Sequence, residues 1–327
     1  MSSHILVAGG AGYVGSHTAK ALSQAGFTPV VYDDLSAGYE HNVKWGPLER
    51  GDIRDGERLD AVLAAYDIKA VLHFAARIEV GEGERDPESF YDNNVYGSLC
   101  LLRALRKAGG PPLIFSSTCA VYGRPQTPLL DETHPRAPES VYGRSKLMIE
   151  QAIADYGRAY GMPYALLRYF NASGADRDGE LGEEHEPETH LIPNALAAAA
   201  GRGQTLKIFG TDYDTPDGTC LRDYIHVEDL AQGHILALRR LLDGERALAC
   251  NLGTGAGDSV RDVIRAIETV TGRTVPAEEA GRRPGDVPAL VADTSFAKSL
   301  GFAPARSDMT QIVTDAWRFY AAKAGLA

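Results

Sequence analysis

The sequence predicts an α/β protein with a doubly wound parallel sheet, followed by a smaller C-terminal α/β region. Three observations carry this expectation. A short apolar run, His4 to Ala8, ends in the turn Gly9-Gly10-Ala11-Gly12-Tyr13-Val14-Gly15 and passes into a helix-forming stretch, Ser16 to Ala25. Strand-length apolar runs then alternate with helical patterns through the first half of the chain, as βα units require. A second strand-like run, Thr28 to Tyr32, closes on Asp33-Asp34, with Asp33 eighteen residues beyond Gly15 (33 minus 15).

Together these read as a Rossmann-like dinucleotide site. The glycines fit both G-x-G-x-x-G (10, 12, 15) and G-x-x-G-x-x-G (9, 12, 15), and they let backbone approach a pyrophosphate at a helix N-terminus, where amides and the dipole favour anions. Asp33 stands where a carboxylate accepts from an adenosine ribose 2′-hydroxyl and repels a 2′-phosphate, so NAD is expected over NADP. Asp34 reads as a plain loop residue.

Composition sets the outer limits. With 327 residues, 44% of them hydrophobic and 24% charged, the chain can bury a full core in one large or two modest domains. A net charge of −11 (33 basic minus 44 acidic) argues against general affinity for nucleic acid or anionic membrane. Cys100, Cys119, Cys220 and Cys250 lack CxxC spacing, which disfavours a disulfide framework or zinc site and suits a reducing cytoplasm. The first residues have no basic stretch with an apolar core, and no run reaches the ~20 apolar residues of a membrane span.

The alternation continues with a strand over Glu49 to Ile53, a helix over Leu59 to Tyr66 and a buried strand over Ala70 to Ala76. Ala75 and Ala76, small residues at a strand's carboxyl end, let backbone approach a cofactor, and His73 reads as a packed core histidine. A long amphipathic helix is expected from about Pro87 to Lys107, carrying Asn93 and Asn94, then a strand from Leu113 to Ser117. Ser116, Ser117 and Thr118 follow at its end; two of them suit loop caps, and Thr118 is the candidate for substrate chemistry.

Tyr142-Gly143-Arg144-Ser145-Lys146 opens the next helix. Tyrosine and lysine four apart share a face about 6 Å apart along the axis, so an ammonium can favour a tyrosinate base whose ordinary pKa is about 10. The spacing alone is common in helices. A Thr118 hydroxyl at the same sheet edge would hydrogen-bond the oxygen that Tyr142 deprotonates.

Beyond the strand Tyr164 to Tyr169 the regular pattern breaks. We expect a dinucleotide-binding domain over 1–174, with elements exchanged from later residues, and a mainly substrate-binding region over 175–327. His185 and His190, among Glu183, Glu184, Glu186 and Glu188, read as a solvated acidic loop without regular ligand spacing, so no metal is expected. Arg222-Asp223-Tyr224 and Arg282-Arg283-Pro284-Gly285-Asp286 suit a diphosphate, since guanidiniums bind phosphate bidentately, although surface ion pairing explains them equally well.

From the glycine loop to about Asp293, the chain resembles the UDP-glucose 4-epimerases of the extended short-chain dehydrogenase/reductase family. The resemblance rests on Gly-Gly-Ala-Gly-Tyr-Val-Gly-Ser-His (9 to 17), His-Phe-Ala-Ala (73 to 76), Tyr-Asp-Asn-Asn-Val (91 to 95), Phe-Ser-Ser-Thr-Cys-Ala-Val-Tyr-Gly (115 to 123) and Tyr-Gly-Arg-Ser-Lys. Further matches are Leu167 to Asn171, Arg222 to Val227, Asn251 to Gly255 and Arg283 to Asp286.

It implies tightly held NAD, with Asp33 on the adenosine ribose, Asp52 and Ile53 by the adenine, and Lys146 on the nicotinamide ribose. Gly9, Gly12, Tyr13, Val14, Gly15, Phe74, Ala75, Ala76, Asn93, Ser116, Tyr142 and Tyr169 complete that set. It also implies a UDP-sugar on Thr118, Tyr142, Asn171, Leu191, Phe209, Arg222, Tyr224, Arg283 and Asp286, interconversion of UDP-glucose and UDP-galactose through a 4-keto sugar, and a homodimer.

Leu290 stands where some relatives carry a bulky Tyr against the sugar's 2-substituent, which implies some activity on UDP-N-acetylglucosamine. Other departures are Ile78 and Gly83, where relatives often place Lys and Ser. Two rivals are weighed. A nucleotide-sugar 4,6-dehydratase needs an acid pair after the Thr, where Cys119 and Ala120 stand, and a non-catalytic NAD sensor would be expected to lack the Tyr or Lys.

Overall fold

In the computed structural model of the chain, residues 3–283 and 285–326 are described. Pro284, inside the Arg-Pro-Gly-Asp motif, lies outside them. The chain opens with β1 (His4–Ala8), α1 (Tyr13–Gln24), β2 (Thr28–Asp33), β3 (Leu48–Arg50), α2 (Gly56–Ala65) and β4 (Ile68–His73). Two short helices, α3 (Val80–Arg85) and α4 (Pro87–Phe90), lead through a π-helical stretch, Tyr91–Tyr96, into α5 (Gly97–Lys107). Next come β5 (Leu113–Thr118), α6 (Val141–Tyr160), β6 (Tyr164–Tyr169) and β7 (Asn171–Ser173). The second half holds α7 (Leu191–Ala199), β8 (Leu206–Phe209), β9 (Leu221–Arg222), β10 (Tyr224–His226), α8 (Val227–Leu242) and β11 (Ala247–Leu252). The chain then forms β12 (Asp258–Ser259), α9 (Val260–Thr271), β13 (Ala277–Ala280), β14 (Ala289–Leu290), α10 (Ser295–Ser299) and α11 (Met309–Lys323).

Seven strands form one sheet in the order β11-β6-β5-β4-β1-β2-β3. Strand order reverses between β1 and β4, which pair in parallel with Val7 opposite Leu72 and Ala8 opposite His73. Such a reversal opens a crevice at the strands' carboxyl ends, where open α/β sheets bind ligands. The glycine loop leaves β1 there and Phe74-Ala75-Ala76 leave β4. Leu6, Val30, Val71 and Leu113 from the strands pack with Leu59, Leu101, Leu105, Ile149 and Ile153 from the helices. Each fully buried side chain of this kind contributes about 1.5–3 kcal/mol.

Two compact units emerge. The first comprises residues 1–123, 135–169 and 231–251, and the second 124–134, 170–230 and 252–327. Most of α8 and nearly all of β11 thus belong to the first unit, while residues 124–134 and 170–174 fall in the second. The second unit builds its own core from Ile192, Leu196, Leu206, Val263, Ile267, Ile312 and Val313. Its small sheets are β10-β7, β12-β9-β14 and β13-β8.

Local departures from expectation have local causes. The third strand stops at Arg50 because Asp52 accepts from the Arg54 amide at 2.8 Å, folding residues 52–54 into a turn. The helix expected over 87–107 is broken by the π-helical turn that carries Asn93 and Asn94. Helix α6 begins at Val141, one residue before the expected opening at Tyr142, because the Ser140 hydroxyl accepts from Gly143 N at 3.0 Å and caps it. Gly161, at φ 69°, ends it. Among the described residues no helix is long and apolar enough to cross a membrane.

Candidate active site

In the first unit, the glycine turn brings backbone close to backbone. A Cβ on Gly15 would lie 2.1 Å from the Gly9 carbonyl oxygen, and one on Gly9, at φ 81°, would lie 2.4 Å from Ala75 N. Only glycine fits either place. Gly12 caps α1 without a side-chain hydrogen bond, and the first turn carries no acid, so the amides of Tyr13, Val14 and Gly15 start a helix that favours an anion.

Asp33 is buried at the end of β2 and accepts from Ala11 N and Leu35 N, both at 2.9 Å. Burial raises its pKa despite those amides. Asp34 accepts from Ser36 N at 2.8 Å, closing the loop turn. These features fit a dinucleotide with a free ribose hydroxyl.

Around that core the adenine-side residues behave unequally. Asp52 is paired with Arg54, whose guanidinium also meets Asp92. Ile53 packs its side chain into the hydrophobic core, so only its backbone faces outward chemistry. Phe74 stacks near His234, with ring centroids 4.8 Å apart, and His73 is a buried core residue bonded to Ser98 Oγ at 2.8 Å. Burial and the nearby Lys146 hold the His73 imidazole down to about 3.

The end of β5 and one face of α6 assemble the chemical centre. Lys146 Nζ donates to the Ser116 carbonyl at 2.8 Å and lies 5.8 Å from the Tyr142 ring centroid. Thr118 lies near enough to the Tyr142 hydroxyl to lower its pKa, and Ser116 Oγ meets the Tyr169 hydroxyl. Tyr142, Lys146, Thr118, Ser116 and Tyr169 therefore share one centre.

The electrostatics depart from expectation. Burial, with the neighbouring Tyr169, raises the Tyr142 hydroxyl well above its ordinary range, and the nearby Thr118 hydroxyl offsets only part of this. Burial also pushes Lys146 down to about 7, against the pull of Glu150. Protein groups alone thus favour a protonated tyrosine, because burial of the phenol outweighs the stabilisation its neighbours give the tyrosinate. Tyr169 is likewise pushed up to about 12 by burial.

In the second unit, Arg222 and Arg283 converge on Asp286. Arg222 lies 3.5 Å from Asp286 Oδ1, and Arg283 Nε donates to Asp286 Oδ2 at 3.0 Å. Phe209 lies under Arg283, 5.3 Å from ring centroid to guanidinium. Leu290 pairs with Arg222 across β14 and β9, and Asn171 pairs with Tyr224 across β7 and β10. Leu191 is the first residue of α7. Tyr224 is 6% exposed and belongs to the core cluster.

The His-Glu loop is more ordered than a solvated loop. Glu183 is largely buried and meets His190, and His185 lies 3.4 Å from Glu183 and 3.6 Å from Glu188. Burial alone would keep His185 neutral, but these carboxylates raise it to about 10. Charge pairing holds these four residues together, and their ligand atoms all lie within 4.8 Å of one another, a closer grouping than a solvated loop was expected to give.

Three further residues hold the site in ways the sequence reading assigned to none of them. Asn94, rather than Asn93, ties Arg77 O at 3.0 Å and Ser145 Oγ at 3.2 Å, and the π-helical turn that aims it has no simple sequence signature. Asp223 accepts from Thr254 N, Gly255 N and Ala292 N, a structural hub within the Arg-Asp-Tyr motif. Glu150 lies two helical turns beyond Tyr142 on the same face, which its spacing does signal.

Residues 5–253 match the NAD dependent epimerase/dehydratase family. The chain belongs to that family. It is 53% identical over 318 residues to a UDP-glucose 4-epimerase of Rhizobium leguminosarum bv. trifolii, covering 97% of each chain. A crystal structure of the UDP-glucose 4-epimerase from Brucella ovis in complex with NAD superposes with a TM-score of 0.95 at 51% identity, covering 97% of this chain and 98% of that one. The UDP-Glc/GlcNAc 4-epimerase of Campylobacter jejuni superposes with a TM-score of 0.86 at 39% identity, over 97% and 99% of the two chains. Within this epimerase/dehydratase family the Tyr-x-x-x-Lys pair and the glycine loop stand in the elements described above.

Proposed function

We propose that this chain interconverts UDP-glucose and UDP-galactose by inverting the sugar's C4′ with NAD as resident cofactor. The observation that carries this reading is the row on α6, where Tyr142 meets Thr118 while Lys146 holds the neighbouring Ser116 carbonyl. Full-length similarity to UDP-glucose 4-epimerases supports it.

The glycine loop and α1 would hold the pyrophosphate, Asp33 the adenosine ribose, and Tyr142 with Lys146 the nicotinamide ribose. Bound NAD supplies a two-electron acceptor and donor at C4′, together with a positive ring that favours tyrosinate. Tyr142 takes the proton of the 4′-hydroxyl as C4′ is oxidised to a ketone, while Thr118 hydrogen-bonds the same oxygen. The keto sugar turns, is reduced on its other face, and takes the proton back from Tyr142. No net oxidation results. In the second unit Arg222 and Arg283 suit the diphosphate, with Phe209 against the uracil side, while the sugar is held loosely enough to present both faces.

This reading assigns no step to a metal ion, and it places the protein in the cytoplasm as a homodimer. Exposed Tyr96, Met148 and Tyr160 on the helical stretch before α5 and on α6 support pairing with a second copy. The family's 4,6-dehydratase chemistry lacks its acid pair, because Cys119 and Ala120 follow Thr118. Purified protein given UDP-galactose without added NAD is expected to form UDP-glucose; a deoxy-keto product or no turnover overturns the reading.

Leu290 extends the proposal to N-acetylated sugars. It is half-buried and unbranched by an aromatic ring, so some turnover of UDP-N-acetylglucosamine is expected, reduced by Leu290→Tyr. Equal rejection of that sugar by wild type and Leu290→Ala contradicts it.

A further inference from the structure

Consecutive turns of one α6 face grip the last three residues of β5. Tyr142 meets Thr118, Lys146 Nζ reaches the Ser116 carbonyl, and Ser117 Oγ donates to Glu150 Oε1 at 2.5 Å. Positions i, i+4 and i+8 share a helix face, so catalytic tyrosine, lysine and Glu150 form one row.

Glu150 is 1% exposed. Arg168 of β6 donates to its two oxygens at 2.8 and 2.7 Å, and Arg136 lies 3.7 Å from Oε2. Arg168 also donates to the Tyr122 hydroxyl at 3.0 Å, which donates to Asn251 at 2.6 Å. A buried ion pair is a costly way to join helix to strand, since apolar residues of similar volume do so at least as well. What apolar residues cannot supply is a negative charge one turn from Lys146.

The other titratable groups facing that ammonium are Tyr142 on its own helix and His73 on β4, and Phe115 lies beneath it at 4.8 Å. His73 is held neutral. Glu150 is the carboxylate that opposes the loss of charge burial imposes on Lys146.

We propose that Glu150 is a positioning residue of the active site: its buried carboxylate keeps Lys146 charged and, through Ser117, holds Thr118 in register with Tyr142. This rests on the assignment of Tyr142 and Lys146 above. The test is the pH profile of kcat for UDP-galactose, measured on enzyme retaining NAD, for wild type, Glu150→Asp, Glu150→Gln and Glu150→Met/Arg168→Met. The double variant removes both charges together, so neither is buried alone.

In Glu150→Gln the alkaline limb is expected to move down by about one pH unit, with KM within about twofold of wild type, and in the double variant it is expected to move the same way by less, because loss of the Arg168 charge opposes loss of the Glu150 charge. Glu150→Asp keeps the charge and is expected to keep the limb, with kcat lowered several-fold by the shorter reach to Ser117. An unmoved limb in whichever of the two charge-removing variants folds overturns the proposal. Tyr142→Phe, run alongside, separates the two failures: full activity there refutes the underlying assignment, whereas an inactive Tyr142→Phe with an unmoved limb refutes Glu150 alone.

Discussion

The chemical centre of the first unit and the arginine set of the second are built on opposite principles. Lys146, Thr118, Ser116 and Glu150 are all buried, and hydrogen bonds from Lys146 to Ser116 and from Ser117 to Glu150 tie α6 to the end of β5. Arg283 is 59% exposed at its side chain and is restrained mainly by Asp286, three residues away. Low dielectric around the first group makes its charges act strongly on one another, whereas water screens Arg283, although the Arg222 and Asp286 side chains beside it are only 15% and 14% exposed. The first arrangement suits a step in which a proton must move between fixed atoms, and the second suits a ligand that binds and leaves.

Tyr142→Phe would break the comparison most sharply. Deleting the proton-transfer oxygen while keeping the ring is expected to lower kcat by about 10²–10⁴-fold, with KM for UDP-galactose changed much less. Steady-state kinetics on protein with a native circular dichroism spectrum measures it. Turnover near wild type would mean that the buried row is structural.

Arg222→Ala and Arg283→Ala test the other side. A charged hydrogen bond contributes about 1.5–3 kcal/mol, so KM for UDP-galactose is expected to rise by about 10–100-fold, more for Arg222. Arg222 is pre-set by its own bonds to the Leu221 and Val287 carbonyls at 2.8 and 3.0 Å, so little side-chain freedom remains to be lost on binding. A fall in kcat with unchanged KM would place these arginines with the chemistry instead.

Legibility in the sequence follows the same division. The sheet, the glycine loop, Asp33 and the Tyr142/Lys146 pair depend on spacings of a few to about twenty residues, and strand-turn-helix patterning carries those directly. The convergence of Arg222 with Asp286 spans 64 positions and was visible only as two separate basic motifs. Tyr224, expected beside the ligand with Arg222, is also mostly buried in the core cluster of its unit, a placement that a three-residue strand does not signal. The rise of Tyr142 instead of a fall was hidden because spacing gives proximity, while the direction of a pKa depends on how far burial strips water from the phenol.

The His185 cluster offers the gentlest probe, because it belongs to the second unit and takes no part in the proposed proton transfer. His185 is raised from an ordinary value of 6.5 to about 10 by Glu183 and Glu188, against the effect of burial. A group whose folded pKa is raised stabilises the fold fully below its unfolded value, and that contribution declines as pH rises, gone once pH passes the folded value. The window is therefore pH 6.5 to about 10. His185→Gln is expected to leave kcat at neutral pH within about twofold of wild type while lowering stability at pH 6 by roughly 1 kcal/mol or more. That difference should shrink toward zero by about pH 10 in urea unfolding followed across the window. A difference independent of pH would mean that the imidazole holds the loop by shape alone, and that the ordered second unit owes nothing there to charge.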